Sequence, residues 1–118
     1  MTREFKKVSF VGLGYIGLPT AAIVASRGVE VVGLDVSQHV VDTINQGKIH
    51  IIEPGLDVVV QGVVNAGKLR ATLKAEPAEA FIIAVPTPFK ENHEPDLSFI
   101  HSGVKMIAPV LEKGNLVI

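Results

Sequence analysis

Three glycines stand where an apolar run ends, in the stretch FVGLGYIGLP near the N-terminus. Gly12, Gly14 and Gly17 have the GxGxxG spacing of a loop that binds a pyrophosphate between a strand and a helix. Gly12 would allow a tight turn, Gly14 would let the phosphates approach the backbone, and Gly17 would let the helix pack closely. Amide groups near Tyr15 and Ile16, at the positive end of the helix dipole, are predicted to face the phosphates.

An acidic residue, Asp35, ends the next apolar run, VEVVGLD, and follows Gly17 by 18 positions. Its carboxylate can accept hydrogen bonds from ribose hydroxyls and would repel the 2′-phosphate of NADP, and the following VSQHVV has no arginine to bind that phosphate. The pattern therefore predicts NAD as the cofactor. Two simpler interpretations stay open: a glycine-rich turn that binds nothing, and a carboxylate that only caps a strand end.

Two further residues are candidates for contact with the cofactor. Thr87, in the stretch AVPTP, follows a strongly apolar run, and open α/β sheets bind ligands at the carboxyl ends of their strands. We expect its hydroxyl to line the cleft near the nicotinamide ribose, with a plain strand terminator as the alternative. Tyr15 is expected to cover the cofactor, although it could also simply fill the crevice.

The composition excludes several other kinds of chemistry. The chain has no cysteine, so it has no thiolate nucleophile, disulfide or thiolate metal site. His39, His50, His93 and His101 share no metal-ligand spacing, so we predict surface histidines and no metal. A net charge of −1 without charge runs predicts neither a nucleic-acid nor a membrane partner. The charged N-terminus is followed by too short an apolar run for a signal peptide, which predicts a cytoplasmic protein.

Strands and helices are predicted to alternate along these 118 residues. Apolar runs predict strands at 8–11, 29–35, 69–72, 80–88 and 116–118, and helices are predicted at 15–27, 38–46, 53–68 and after a cap at Asp96. The last helix is expected to bury one face, made of Leu97, Ile100, Val104, Ile107 and Leu111. This alternation predicts an α/β protein: a Rossmann-type, doubly wound parallel sheet with the strand order 3-2-1-4-5.

The last predicted strand coincides with the end of the sequence at Ile118. We therefore expect residues 1–118 to form one NAD-binding domain that is truncated at its last strand, with no second domain in this chain. An unpaired last strand would leave an apolar edge open, so a homo-oligomer is expected.

Four stretches resemble the start of the UDP-glucose/GDP-mannose dehydrogenase family: FVGLGYIGLPTAA, DTINQGKIHIIEPGL, FIIAVPTPFKENHEPD and IAPVLEKGNLVI. The resemblance implies an oxidoreductase that converts the C6 alcohol of a UDP-sugar or similar nucleotide sugar to a carboxylate with two NAD molecules. Matching motif positions imply NAD contacts at Gly12, Gly14, Tyr15, Ile16, Gly17, Asp35 and Thr87.

The family's catalytic cysteine, its lysine base and its sugar pocket match positions beyond Ile118. The resemblance therefore implies that this chain binds NAD but is inactive alone. A different function is also compatible with the residues, namely a stand-alone nucleotide-sensing module, because a fold does not determine a function.

Overall fold

Five parallel strands form one sheet in the computed structural model, which describes residues 5–88 and 90–118. The strands are β1 (Lys7–Val11), β2 (Glu30–Leu34), β3 (Leu69–Thr72), β4 (Ala80–Ile83) and β5 (Leu116–Val117). The helices are α1 (Gly17–Ser26), α2 (Gln38–Asn45), α3 (Leu56–Asn65) and α4 (Ser98–Ile107), which a short 3-10 turn at Ala108–Val110 follows. No described helix is longer than 10 residues, and none could cross a membrane.

The strand order is β3-β2-β1-β4-β5, and every pair of neighbours is parallel. Phe10 on the central strand β1 lies between Gly33 of β2 and Ile82 of β4. The order reverses between β1 and β4, which creates a crevice at their carboxyl ends where such sheets bind ligands. The predicted Rossmann-type sheet is confirmed.

Helices cover the two faces of the sheet, as strands with continuous apolar runs require. On one face, α1, α2 and α3 bury the even-numbered side of β1, including Val8 and Phe10. On the other face, α4 buries Val11 through Ile107. The alternation of side chains along β1 thus separates the core into two clusters.

Local capping interactions set the helix boundaries. The Ser37 hydroxyl accepts a hydrogen bond from the Val40 amide at 3.3 Å, which confirms the predicted start of α2. Asp96 Oδ1 accepts one from the Ser98 amide at 3.0 Å, but the residue at the N-cap of α4 is Leu97, which has no side-chain cap, so Asp96 stands one residue earlier than a cap would. Helix α3 begins only at Leu56, three residues later than predicted, because Gly55 has a left-handed φ of +83°.

Two predictions need correction, one about the end of β4 and one about the buried face of α4. Strand β4 ends at Ile83 instead of residue 88, because its partner β1 ends at Val11, whose carbonyl accepts the last ladder bond from Ala84. Helix α4 packs through Gly103 and Ile107. Ile107 of the predicted face is fully buried, whereas Leu97, Val104 and Leu111 are exposed. The close approach has a steric reason: a Cβ at Gly103 would lie 3.1 Å from Val11 Cγ1.

We expect this chain to self-associate at high concentration because the outer edge of β5 pairs with no described strand. Leu116, Val117 and Ile118 are 41, 44 and 68% exposed. Sedimentation velocity over a concentration series should show a growing dimer or larger species, which Val117→Lys should reduce. Val58→Lys, on the exposed side of α3, is the matched control and should leave association unchanged. A monomer at every concentration would contradict this expectation.

Candidate nucleotide site

A cleft of about 730 Å³ opens at the carboxyl ends of β1, β2 and β4. The glycine loop and the end of β2 form one side, and the chain after β4 together with α4 forms the other. Asp35 is the only ionisable side chain among its described lining residues apart from the phenol of Tyr15. An anionic ligand would therefore meet backbone amides and a helix end instead of lysine or arginine.

Two of the three motif glycines are needed by the fold itself. Gly12 has a φ of +98°, and a Cβ there would lie 2.6 Å from the Ala84 carbonyl oxygen. A Cβ at Gly17 would lie 2.0 Å from the Gly12 carbonyl oxygen, so only glycine lets α1 start this close to the loop. Gly17 is buried and does not line the cleft.

Gly14 is different, because no neighbour in the described part of the chain requires a glycine there. A Cβ at this position would have no atom within 4 Å, and its φ is an ordinary one. Gly14 is exposed and lines the cleft. The space in front of its backbone is therefore available to a ligand.

The start of α1 has no protein partner for its leading amides. No side chain caps this helix. Within the described residues, the amides of Gly14, Tyr15 and Ile16 donate to no protein acceptor. Unpaired amides at a helix N-terminus, combined with open space at Gly14, fit a pyrophosphate group.

The Asp35 carboxylate makes two hydrogen bonds to the backbone. Oδ2 accepts from the Leu13 amide at 3.1 Å, and Oδ1 accepts from the Ser37 amide at 3.0 Å. The second bond closes a turn at the end of β2, as predicted by the simpler interpretation in which Asp35 only caps a strand end. An ionised carboxylate has about four acceptor positions, so about two remain for ligand hydroxyls. Asp35 thus connects β2 to the glycine loop while it lines the cleft.

Of the three remaining predicted contact residues, two line the cleft and one does not. Tyr15 and Ile16 line the cleft and are 69 and 75% exposed. Thr87 is exposed, and the cleft is lined instead by Val85 and Pro86, the residues before it. The early end of β4 places Thr87 in an irregular segment, so its contact with a cofactor stays a prediction.

One wall of the cleft was missed by sequence reasoning. Phe99, Ser102, Gly103 and Met106 of α4 line it opposite the glycine loop. Gly103 in the middle of the helix was the available signal, since a glycine allows another group to approach the backbone closely. The helix therefore serves the cleft as well as the core.

His50 contradicts the prediction that all four histidines lie at the surface. Its ring is half-buried, and Nδ1 is shielded from water with no hydrogen-bond partner among the described residues. Burial lowers the pKa of His50 below its usual value, and the negative charge of Asp35 partly opposes this. His50 does not line the cleft. His39, His93 and His101 are exposed.

Residues 6–118 match the UDP-glucose/GDP-mannose dehydrogenase family, NAD binding domain. The chain is 64% identical over 116 residues to the UDP-N-acetyl-D-mannosamine dehydrogenase of Campylobacter jejuni, which covers 98% of this chain and 28% of that protein. It is 60% identical over 115 residues to the NDP-N-acetyl-D-galactosaminuronic acid dehydrogenase of Ralstonia nicotianae, with 98 and 27% covered.

Among solved structures, the UDP-N-acetyl-mannosamine dehydrogenase of Staphylococcus aureus superposes with a TM-score of 0.91 at 42% identity. The match covers 94% of this chain and 27% of that one. The chain thus spans about a quarter of the length of these relatives.

The open amides, the free space at Gly14 and the carboxylate at the end of β2 fit a dinucleotide, and the match identifies which one. The predictions of NAD as the cofactor and of the family are both confirmed. This chain belongs to the UDP-glucose/GDP-mannose dehydrogenase family, of which it forms the NAD-binding domain.

Proposed function

We propose that the protein to which this domain belongs oxidises the C6 alcohol of a nucleotide sugar to a carboxylate, with UDP-N-acetyl-D-mannosamine as the substrate. The observation that carries the proposal is a complete glycine loop and acidic strand end in a chain 64% identical to a UDP-N-acetyl-D-mannosamine dehydrogenase. Bound NAD would supply the hydride acceptor, in two successive oxidations. Its location in the cytoplasm stays a prediction.

The residues of this chain divide the binding of NAD between them. The amides of Gly14, Tyr15 and Ile16 would hold the pyrophosphate at the positive end of α1. Asp35 would accept hydrogen bonds from the adenosine ribose, and Val85 and Pro86 would contact the cofactor across the crevice. Gly12 and Gly17 act by placing the loop, and Thr87 is proposed for the nicotinamide ribose.

Catalysis needs groups beyond this cofactor site. The cleft has a carboxylate but no thiol and no lysine among its described lining residues. We propose that the catalytic cysteine, the lysine base and the sugar pocket lie in parts of the protein outside this chain. The chain alone should therefore bind NAD weakly and turn over no substrate, because a full site would add contacts that are missing here.

The preference for NAD over NADP tests the proposed role of Asp35. Calorimetric titration should give a dissociation constant for NADP that is about tenfold higher than for NAD, because the carboxylate repels a 2′-phosphate. Asp35→Asn keeps the shape of the side chain but removes its charge. It should lower the affinity for NAD and reduce the preference for NAD over NADP.

Asp42→Asn on α2 is the matched control, since it changes the net charge equally at an exposed carboxylate that, among the described residues, pairs only with the Gln38 side chain. It should leave both affinities unchanged. Tighter binding of NADP than of NAD, or no binding of NAD at millimolar concentration, would contradict the proposal.

A further inference from the structure

Asn45, the last residue of α2, bonds to the backbone of β3 through both ends of its side-chain amide. Nδ2 donates to the Ala71 carbonyl at 2.9 Å, and Oδ1 accepts from the Ala71 amide at 2.8 Å. Two residues that face each other in a hydrogen-bonded pair of antiparallel strands exchange the same two bonds. The side chain of Asn45 therefore takes the place of a strand residue beside Ala71.

Ala71 presents these two groups at an outer edge of the sheet, because β3 is a terminal strand. The Lys68 carbonyl accepts from the Val31 amide at 2.7 Å, so Lys68 faces β2. The Thr72 carbonyl accepts from the Asp35 amide at 3.2 Å and faces the same way. Since the backbone groups of successive strand residues point to opposite sides, Ala71 faces outward, on what we term the β3 edge.

The end of α2 fixes the position of Asn45. The Gly47 amide donates to the Ile44 carbonyl at 2.8 Å, and Gly47 has a left-handed φ of +76°. The Lys48 amide donates to the Thr43 carbonyl at 3.1 Å. These are the two bonds of a Schellman motif, which ends a helix in one defined geometry. Ile44 is fully buried, so the end of α2 is also anchored in the core.

Helix α3 ends in the same motif, with an asparagine at the same position. The Gly67 amide donates to the Val64 carbonyl at 3.0 Å, and the Lys68 amide donates to the Val63 carbonyl at 2.9 Å. Asn65 is the last residue of α3, as Asn45 is of α2, but its side chain makes no hydrogen bond within the described residues. The helix ending therefore does not require a bonded asparagine, and the bonds of Asn45 belong to the β3 edge.

The opposite edge of the sheet, at β5, has no comparable cover. The Leu116 amide donates to the Glu79 carbonyl and the Ile118 amide to the Phe81 carbonyl, both in the direction of β4. Val117 between them therefore faces outward. Within the described ranges no side chain bonds to its backbone. Exposed strand edges of this kind are templates for pairing with another chain.

We propose that Asn45 closes the β3 edge to strand pairing with a second copy of this chain, which leaves the β5 edge for association. The physical basis is that both outward groups of Ala71 are already bonded, so an incoming strand would have to displace the Asn45 amide before it gained any bond there. This inference concerns association and does not depend on the proposed function.

A reporter of strand pairing can be placed on β3, because the chain has no cysteine. A second copy that pairs antiparallel with both outward-facing residues, Leu69 and Ala71, sets residue 70 of one copy opposite residue 70 of the other. Such opposite residues lie about 4.5 Å apart between their Cα atoms, which suits a disulfide. Arg70→Cys, combined with Val117→Lys to suppress pairing at β5, is therefore the reporter background.

Asn45→Leu keeps the size of the side chain but removes both bonds to Ala71. In the reporter background we expect it to give about fivefold more disulfide-linked dimer under mild oxidation, and a dimer in sedimentation velocity under reducing conditions. Asn65→Leu is the matched control, since it adds the same apolar group at the same position of the same helix-ending motif. It should leave the reporter background monomeric.

Asn45→Asp separates an open edge from a general loss of stability. The carboxylate can still accept from the Ala71 amide but cannot donate to the Ala71 carbonyl, so the thermal midpoint should fall by about 5 °C. Its charge at the β3 edge should nevertheless prevent pairing, and the chain should stay monomeric. A dimer in Asn45→Asp, equal dimer in Asn45→Leu and Asn65→Leu, or a monomer in folded Asn45→Leu would each overturn the proposal.

Amide hydrogen exchange tests the closed edge in the unmodified chain, so the proposal stays testable if Asn45→Leu does not fold. Leu69 and Ala71 both direct their amides away from β2, and Asn45 accepts from the second. After correction for intrinsic rates, the Ala71 amide should exchange at least about tenfold more slowly than the Leu69 amide. Equal rates would show that the Asn45 side chain does not hold the β3 edge closed.

Discussion

Gly14→Ala is expected to raise the dissociation constant for NAD by at least about tenfold while leaving the fold intact. Beyond its own chain neighbours, an alanine Cβ at this position meets no atom of the described residues within 4 Å, and the backbone there has no left-handed φ. The methyl would therefore obstruct a ligand that approaches the open amides of the loop. Calorimetric titration with NAD measures the loss, and thermal unfolding measures the stability.

Gly62→Ala in the middle of α3 provides the matched control. A Cβ at Gly62 also has no neighbour within 4 Å, and Gly62 lies outside the cleft. This variant should gain about 0.5–1 kcal/mol of stability, because alanine is the better helix former, and should bind NAD normally. Normal NAD affinity in Gly14→Ala would show that the pyrophosphate does not lie on this loop.

Gly17→Ala is expected to have the opposite effect, a loss of about 3 kcal/mol in the free energy of unfolding. The added Cβ would lie 2.0 Å from the Gly12 carbonyl oxygen and 3.3 Å from Ala84 Cβ. The first of these is a backbone atom, held by the bond from the Gly12 amide to the Leu34 carbonyl at 2.7 Å. The loop cannot yield without breaking the connection between β1 and β2.

Thermal unfolding of Gly17→Ala should show a midpoint lowered by roughly 10–15 °C. Gly14→Ala is the comparison within the same glycine motif, because it adds the same methyl group three residues away. A midpoint within about 2 °C of the unmodified chain would show that the start of α1 can shift to accept the methyl. Equal effects of the two substitutions on stability would contradict the division between fold and ligand described for this loop.

Most element boundaries follow from local signals in the sequence. Apolar runs, the cap at Ser37 and the glycines at helix ends act within a few residues, so they can be recognised without the tertiary structure. The end of β4 and the buried face of α4 could not be recognised in this way. Both depend on partners far along the chain: β4 stops where β1 stops, and α4 turns Gly103 towards Val11.

The features of the site likewise fall into those that the sequence encodes and those that folding creates. The amino-acid sequence by itself determined the glycine loop, the acid at the end of β2 and hence NAD, because spacing between neighbouring elements encodes them. Only the tertiary structure decided that Gly12 and Gly17 are steric necessities while Gly14 is free, and that α4 forms a wall of the cleft. The physical reason is that steric clearance, burial and charge at one atom depend on groups that folding brings together from distant positions.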